Sequence, residues 1–214
     1  MRNIMFVAAV PALATGVSSA QTTDIRVPNI FERSQSQILN DALGQSFTRI
    51  GDDLVGSSIT AARLSDDADQ IWSAGTYSVS IIGRESLFNK KFGITDVQGD
   101  GFDRILRTTS GPTQATVTID DNFAWAVKNS ALFGGKVYSS IDDNNRDDAD
   151  HMVSYNLLEG GESLGFVLFF EDWGGHASDR DFNDLAVVVQ LVPLPQASLL
   201  AAAALGGLAC VRRR

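Results

Sequence analysis

The chain has 214 residues, with 17 basic and 26 acidic side chains, a net charge of −9 and one cysteine. That length fits a single domain with short terminal segments. The acidic balance excludes a nucleic-acid or anionic-lipid surface, and the lone cysteine excludes a disulfide framework.

Arg2 precedes an apolar stretch over residues 4–14, and Ser18-Ser19-Ala20 forms a small-x-small cleavage pattern. This predicts a secretory signal peptide over 1–20, cut after Ala20, with the mature chain starting at Gln21. At the other end, 196–211 is uncharged and precedes Arg212, Arg213 and Arg214. Setting both ends aside removes Arg2 and the three terminal arginines and no acid, which leaves 13 basic against 26 acidic residues, a net of −13. An exported domain this acidic favours divalent cations. Cys210 lies in the tail, so the domain between the ends has no thiol to oxidise.

Ile38, Leu39, Ala42, Leu43 and Phe47 recur at helical spacing, which predicts a helix over 32–43 with Gly44 as its C-cap. The stretch 57–64 (SSITAARL) suits helix or strand equally, and 66–69 reads as a polar loop. Residues 21–68 thus read as a helical or irregular N-terminal part of the domain. From Thr76 onward, β-rich runs alternate with Gly, Asp and Asn turns. Strands are predicted at 77–82, 91–95, 115–119, 123–127, 136–139, 152–157, 164–170 and 185–192. Short strands at this spacing predict an all-β domain over 69–192, an antiparallel sandwich or jelly roll. The last two runs are nearly all apolar and belong at the sheet centre, covered on both faces. In 77–82, Tyr77, Val79 and Ile81 share one face, which marks a half-exposed strand. Trp125, inside an apolar run, reads as core.

The chemistry concentrates in 170–185, FEDWGGHASDRDFNDL. Glu171, Asp172, Asp179, Asp181, Asn183 and Asp184 bring six oxygen-bearing side chains to one strand–loop–strand connection. Hard oxygen donors without thiolate suit Ca²⁺, which takes six to eight oxygens. In an extended stretch Asp179, Asp181 and Asn183 would share a face. The spacing is not that of an EF-hand: counted from Asp179, position 6 is Asp184 and position 12 is Gln190. A second acidic run, 142–150, fails the same count from Asp143, with Asp148 and Ser154 at those positions. Asp150 or His151 is expected to dock beside the main cluster and steady it.

No nucleophile elbow, zinc-binding His pair or phosphate-binding Gly loop is present, and His151 and His176 are the only histidines. The chain therefore reads as a non-enzyme. A glycoside hydrolase with Glu171 and Asp181 as its carboxylate pair is the third choice. The second is a carbohydrate-binding module that takes exopolysaccharide, with Trp173 as the stacking residue.

The tail carries a resemblance. Val192-Pro193-Leu194-Pro195, an apolar segment at 196–211 and Arg212, Arg213 and Arg214 resemble the VPLP variant of the PEP-CTERM sorting tail. The apolar segment would be about 24 Å long as a helix, against a hydrocarbon core of roughly 30 Å, enough for a transient span with snorkelling arginines. The positive-inside rule keeps the arginines cytoplasmic and the domain outside. A buried C-terminal core helix is the alternative, and it leaves three consecutive arginines unexplained. The resemblance implies an exosortase-type sorting enzyme as partner. It also implies an intermediate anchored in the inner membrane by the transmembrane helix, then release to the cell surface or extracellular matrix of a Gram-negative-type bacterium.

A second resemblance covers about 69–192. Phe92-Gly93-Ile94, Phe123-Ala124-Trp125, the Asn-rich loop ending at Asp150-His151, and 170–185 are together similar to a domain of unknown function common in calcium-rich bacterial surface proteins. Thr95 stands where tyrosine is usual and Ala124 where glycine is usual. This resemblance implies a β-sandwich with bound cation and no established activity. The sequence thus predicts an exported, calcium-stabilised β-sandwich with a structural or adhesive role.

Overall fold

The computed structural model describes residues 22–86, 89–130, 134–175 and 178–193. The expected signal peptide with its Ala20 cleavage point, His176, Leu194, Pro195, the 196–211 helix and Arg212, Arg213 and Arg214 lie outside the described residues. No helix among the described residues is long and apolar enough to cross a membrane.

The described chain is mostly antiparallel β-structure in two sheets. In chain order it runs α1 (Gln35–Leu43), β1 (Thr48–Ile50), β2 (Asp53–Val55), β3 (Ile59–Arg63), β4 (Gly75–Gly83), β5 (Lys91–Asp96), β6 (Asp103–Arg107), β7 (Gln114–Ile119), β8 (Phe123–Lys128), β9 (Val137–Ser139), β10 (Met152–Glu159), β11 (Glu162–Phe170) and β12 (Leu185–Leu191). The larger sheet has the order β1-β2-β3-β10-β11-β12-β4-β7, and the smaller β6-β5-β8-β9.

The helix starts at Gln35 rather than at residue 32, because Ser34 caps it. The Ser34 hydroxyl accepts from Gln37 N, and the Gln37 side chain accepts from Ser34 N. Gly44 closes it in the left-handed region at φ 67°, as the sequence predicted. The undecided 57–64 stretch is a strand, β3. The N-terminal part is not merely helical or irregular, since β1, β2 and β3 extend the large sheet. β1 is exposed at all three positions and carries no apolar alternation to read. β6 is a strand that the sequence does not predict, for a similar reason: in DRILR only Leu106 is fully buried.

β11 and β12 sit near the centre of the large sheet, as their apolar sequences required. Phe166, Leu168 and Phe170 on β11 and Leu185, Val187 and Val189 on β12 face a cluster shared with the small sheet. The alternate residues Val167, Phe169 and Ala186 pack with Ile38 and Leu39 of α1. Both faces are therefore covered, which removes the polar alternation a half-exposed strand would show. Trp125 is the hub of the shared core. It stacks on Phe92 at 5.1 Å and meets Phe123, Tyr77 and Trp72 edge-on at 4.8, 5.6 and 6.2 Å. Such pairs contribute about 0.5–1.5 kcal/mol each beyond the area they bury.

Candidate metal centre

Phe170 pairs with Leu185, so residues 171–184 leave and re-enter the large sheet at one end of the neighbouring strands β11 and β12. The connection is fixed by hydrogen bonds to its own acids. Glu171 Oε1 accepts Trp173 N at 3.2 Å, and Glu171 Oε2 accepts Arg180 N at 3.0 Å. Asp184 Oδ2 accepts Asp172 N at 2.8 Å. The Asn183 side-chain amide donates to Asp181 Oδ2 at 2.8 Å and to the Arg33 carbonyl at 3.0 Å.

The loop is not extended. Arg180 and Phe182 both adopt the left-handed region, at φ 59° and 51°. Each such residue costs roughly 1–2 kcal/mol, and the surrounding contacts must hold it there. Those contacts come from the N-terminal segment: Arg26 N donates to the Arg180 carbonyl at 2.9 Å and Gln35 Nε2 to that of Phe182 at 3.2 Å. The expected shared face of Asp179, Asp181 and Asn183 is thereby corrected. Asp181 and Asn183 turn inward and are buried, while Asp179 is exposed.

The six predicted residues come together as adjoining groups. Carboxylate oxygens of Glu171, Asp172 and Asp184 lie within 4.8 Å of one another, and so do those of Asp179, Asp181 and Glu32. Asn183 braces the second group through Asp181. Glu32 was not anticipated. The helical spacing over 32–43 predicts a place inside the helix, whereas Glu32 lies in the turn before Ser34 and reaches the loop.

Lys90 is equally absent from any sequence spacing argument. It is 1 % exposed, contacts Asp172 Oδ2, and donates to Asn129 Oδ1 at 3.2 Å. Ser86 Oγ donates to the same Asp172 oxygen at 2.9 Å, and Asn129 Nδ2 to the Asp172 carbonyl at 2.6 Å. Asp172 Oδ1 is buried and takes no hydrogen bond from any described residue.

Crowding sets the electrostatics. Burial, then Asp184 and Asp179, push Glu171 up to about 9. Burial, then Asp179, Asp184 and Glu32, push Asp181 up to about 7. Asp184 rises to about 6 through burial, opposed by Lys90. Burial brings Lys90 down to about 8 against the pull of Asp184 and Glu171. One ammonium does not offset this many buried carboxylates, so without further positive charge the cluster keeps protons at neutral pH.

The donor set fits a hard cation. All the converging side chains offer oxygen. A spread of 4.8 Å is what two ligands on opposite sides of Ca²⁺ would show, with bonds of about 2.3–2.6 Å. Glu171, Asp172, Asp184, Asp179, Asp181 and Glu32 are the residues that would hold it.

His151 lies beside the cluster. Its Nδ1 is 3.2 Å from the Glu171 carbonyl, and its ring stacks on Tyr138 at 4.1 Å. Its Nε2 meets Asp147 Oδ1 at 3.0 Å, while Asp147 Oδ2 accepts Gly175 N at 2.6 Å. Asp150 behaves differently. Its Oδ1 accepts Met152 N at 2.9 Å, and it is pushed up to about 7 by burial and then by Asp142 and Asp66. It lines a cavity of about 210 Å³ with His151, Ser178 and Arg180. Trp72 and Trp125 belong to the core, whereas Trp173 is 40 % exposed beside the acidic cluster.

No curated protein and no solved structure matches the chain. Residues 91–192, which hold β5 to β12 and the whole acidic connection, are similar to the family described as "Domain of unknown function (DUF4114)".

Proposed function

We propose that this is an exported β-sandwich domain braced by Ca²⁺ at the connection between β11 and β12, with a structural or adhesive role at the cell surface or in the extracellular matrix. The carrying observation is burial of charge. Glu171, Asp172 and Asp181 are each 3 % exposed or less, at the buried ends of β11 and β12. Burying carboxylates costs several kcal/mol apiece unless a cation or hydrogen bonds compensate. An extracellular setting with millimolar calcium supplies that cation. The Val192-Pro193-Leu194-Pro195 motif, the apolar tail and its arginines support delivery by an exosortase-type enzyme through an inner-membrane intermediate. A source genome without an exosortase gene would remove that half of the reading.

Calorimetry on the purified protein tests the other half. EDTA should lower the melting temperature and added Ca²⁺ should restore it. Replacing Asp179 and Asp181 by Asn should lower it only in calcium-containing buffer. Melting that ignores both chelator and calcium would sink the cation.

One observation favours a second reading, an exopolysaccharide-binding module. Trp173 exposes an indole next to the acidic cluster, an arrangement suited to stacking on a sugar ring while a cation holds its hydroxyls. A polysaccharide pull-down comparing wild type with Trp173→Ala decides it, and retention of neither protein rules it out.

A further inference from the structure

The Glu171, Asp172 and Asp184 group already contains a positive charge of the protein's own. The Lys90 ammonium enters from the segment between β4 and β5, is 1 % exposed, lies against Asp172 Oδ2 and donates to Asn129 Oδ1. It brings one positive charge to three carboxylates whose oxygens lie within 4.8 Å of one another. Asp172, also 1 % exposed, keeps its second oxygen without a hydrogen-bond donor among the described residues. A single charge with three donors thus leaves a buried acceptor unmet, whereas a divalent ion would draw on an oxygen from each carboxylate. An ammonium and a divalent ion cannot share that space, because like charges a few ångströms apart inside a protein repel strongly.

We infer that Lys90 is a built-in competitor for the divalent cation, seated on Asp172 when the metal is absent and displaced when it binds. The inference rests on the cation reading above and adds its regulation. The lysine keeps the metal-free connection folded and sets the calcium concentration at which the brace engages. Apparent affinity is the intrinsic affinity scaled by the fraction of molecules in which the ammonium is out of the way.

Two measurements test this. In calcium titrations by calorimetry, Lys90→Met should bind roughly tenfold more tightly than wild type, since the competitor is gone. Its melting temperature in EDTA should be lower than that of wild type, and the increment on adding calcium larger. Should the variant fail to fold, the wild-type protein answers alone. Amine acetylation read by mass spectrometry should leave Lys90 protected in EDTA and label it in saturating calcium, with Lys91, Lys128 and Lys136 as internal references. Equal or weaker calcium binding by Lys90→Met beside a wild type that binds, or a Lys90 that stays unlabelled in saturating calcium, would overturn the competitor while leaving the cation site intact. Failure of both proteins to bind calcium would sink the cation reading and this inference with it.

Discussion

Glu171 Oε2 accepts the backbone N–H of Arg180 at 3.0 Å, and Arg180 sits in the left-handed region at φ 59°. The acid that immediately follows β11 therefore fixes the turn that delivers Asp181 into the interior. The same carboxyl group shapes the loop and helps to crowd the cluster, so conditions that change its charge should change the fold locally.

The metal-free protein should lose stability as pH rises. Glu171 moves from 4.5 to about 9 on folding, and Asp181 from 3.8 to about 7. These are acids whose folded values are raised. Between those limits the folded state holds protons that the unfolded chain has released, and stability falls with increasing pH. Melting temperatures in EDTA should decline from about pH 4 toward pH 9, and Glu171→Gln should flatten the curve. A flat or rising wild-type curve would contradict the buried charges.

Phe182 should behave as a core residue despite its place in a loop. It is 1 % exposed and packs in the cluster beneath α1. Phe182→Ala should cost about 3–5 kcal/mol in urea unfolding. A loss below about 1 kcal/mol would show that the loop does not dock against α1.

Gly93 should tolerate no side chain. It sits where β5 and β6 shift register, and a Cβ there would lie 2.0 Å from the Asp103 carbonyl oxygen. Because backbone must move, Gly93→Ala should cost about 3 kcal/mol or more and loosen β6 first, which hydrogen exchange at Asp103–Arg107 would report. Wild-type protection there would contradict the close approach.

Asp147 should hold the loop from outside. It bridges His151 Nε2 at 3.0 Å and Gly175 N at 2.6 Å. Asp147→Ala should destabilise the protein by about 1–3 kcal/mol and speed exchange of the Gly175 amide, because a charge-assisted bond is lost. An unchanged Gly175 amide would show the bridge to be incidental.

The sequence by itself determined the strands from Thr76 onward other than β6, the near-central position of β11 and β12, the Gly44 cap and the acidic connection. Each is a local pattern: period-two or continuous apolar runs, a left-handed glycine, or acids close together in the chain. It also held Trp125 in the core, because an aromatic residue inside an apolar strand has one favourable place to go. Only the tertiary structure decided that β1, β2 and β3 extend the large sheet, since such short strands, with at most one fully buried residue each, are specified by their pairing partners rather than by their own side chains. Only it brought Glu32 and Lys90, from before α1 and from between β4 and β5, against Asp181 and Asp172. Side chains that meet across many residues of intervening chain leave no spacing to read. Two left-handed residues, Arg180 and Phe182, turned an expected extended face inward, and their conformation is held by hydrogen bonds from the N-terminal segment that no local pattern contains.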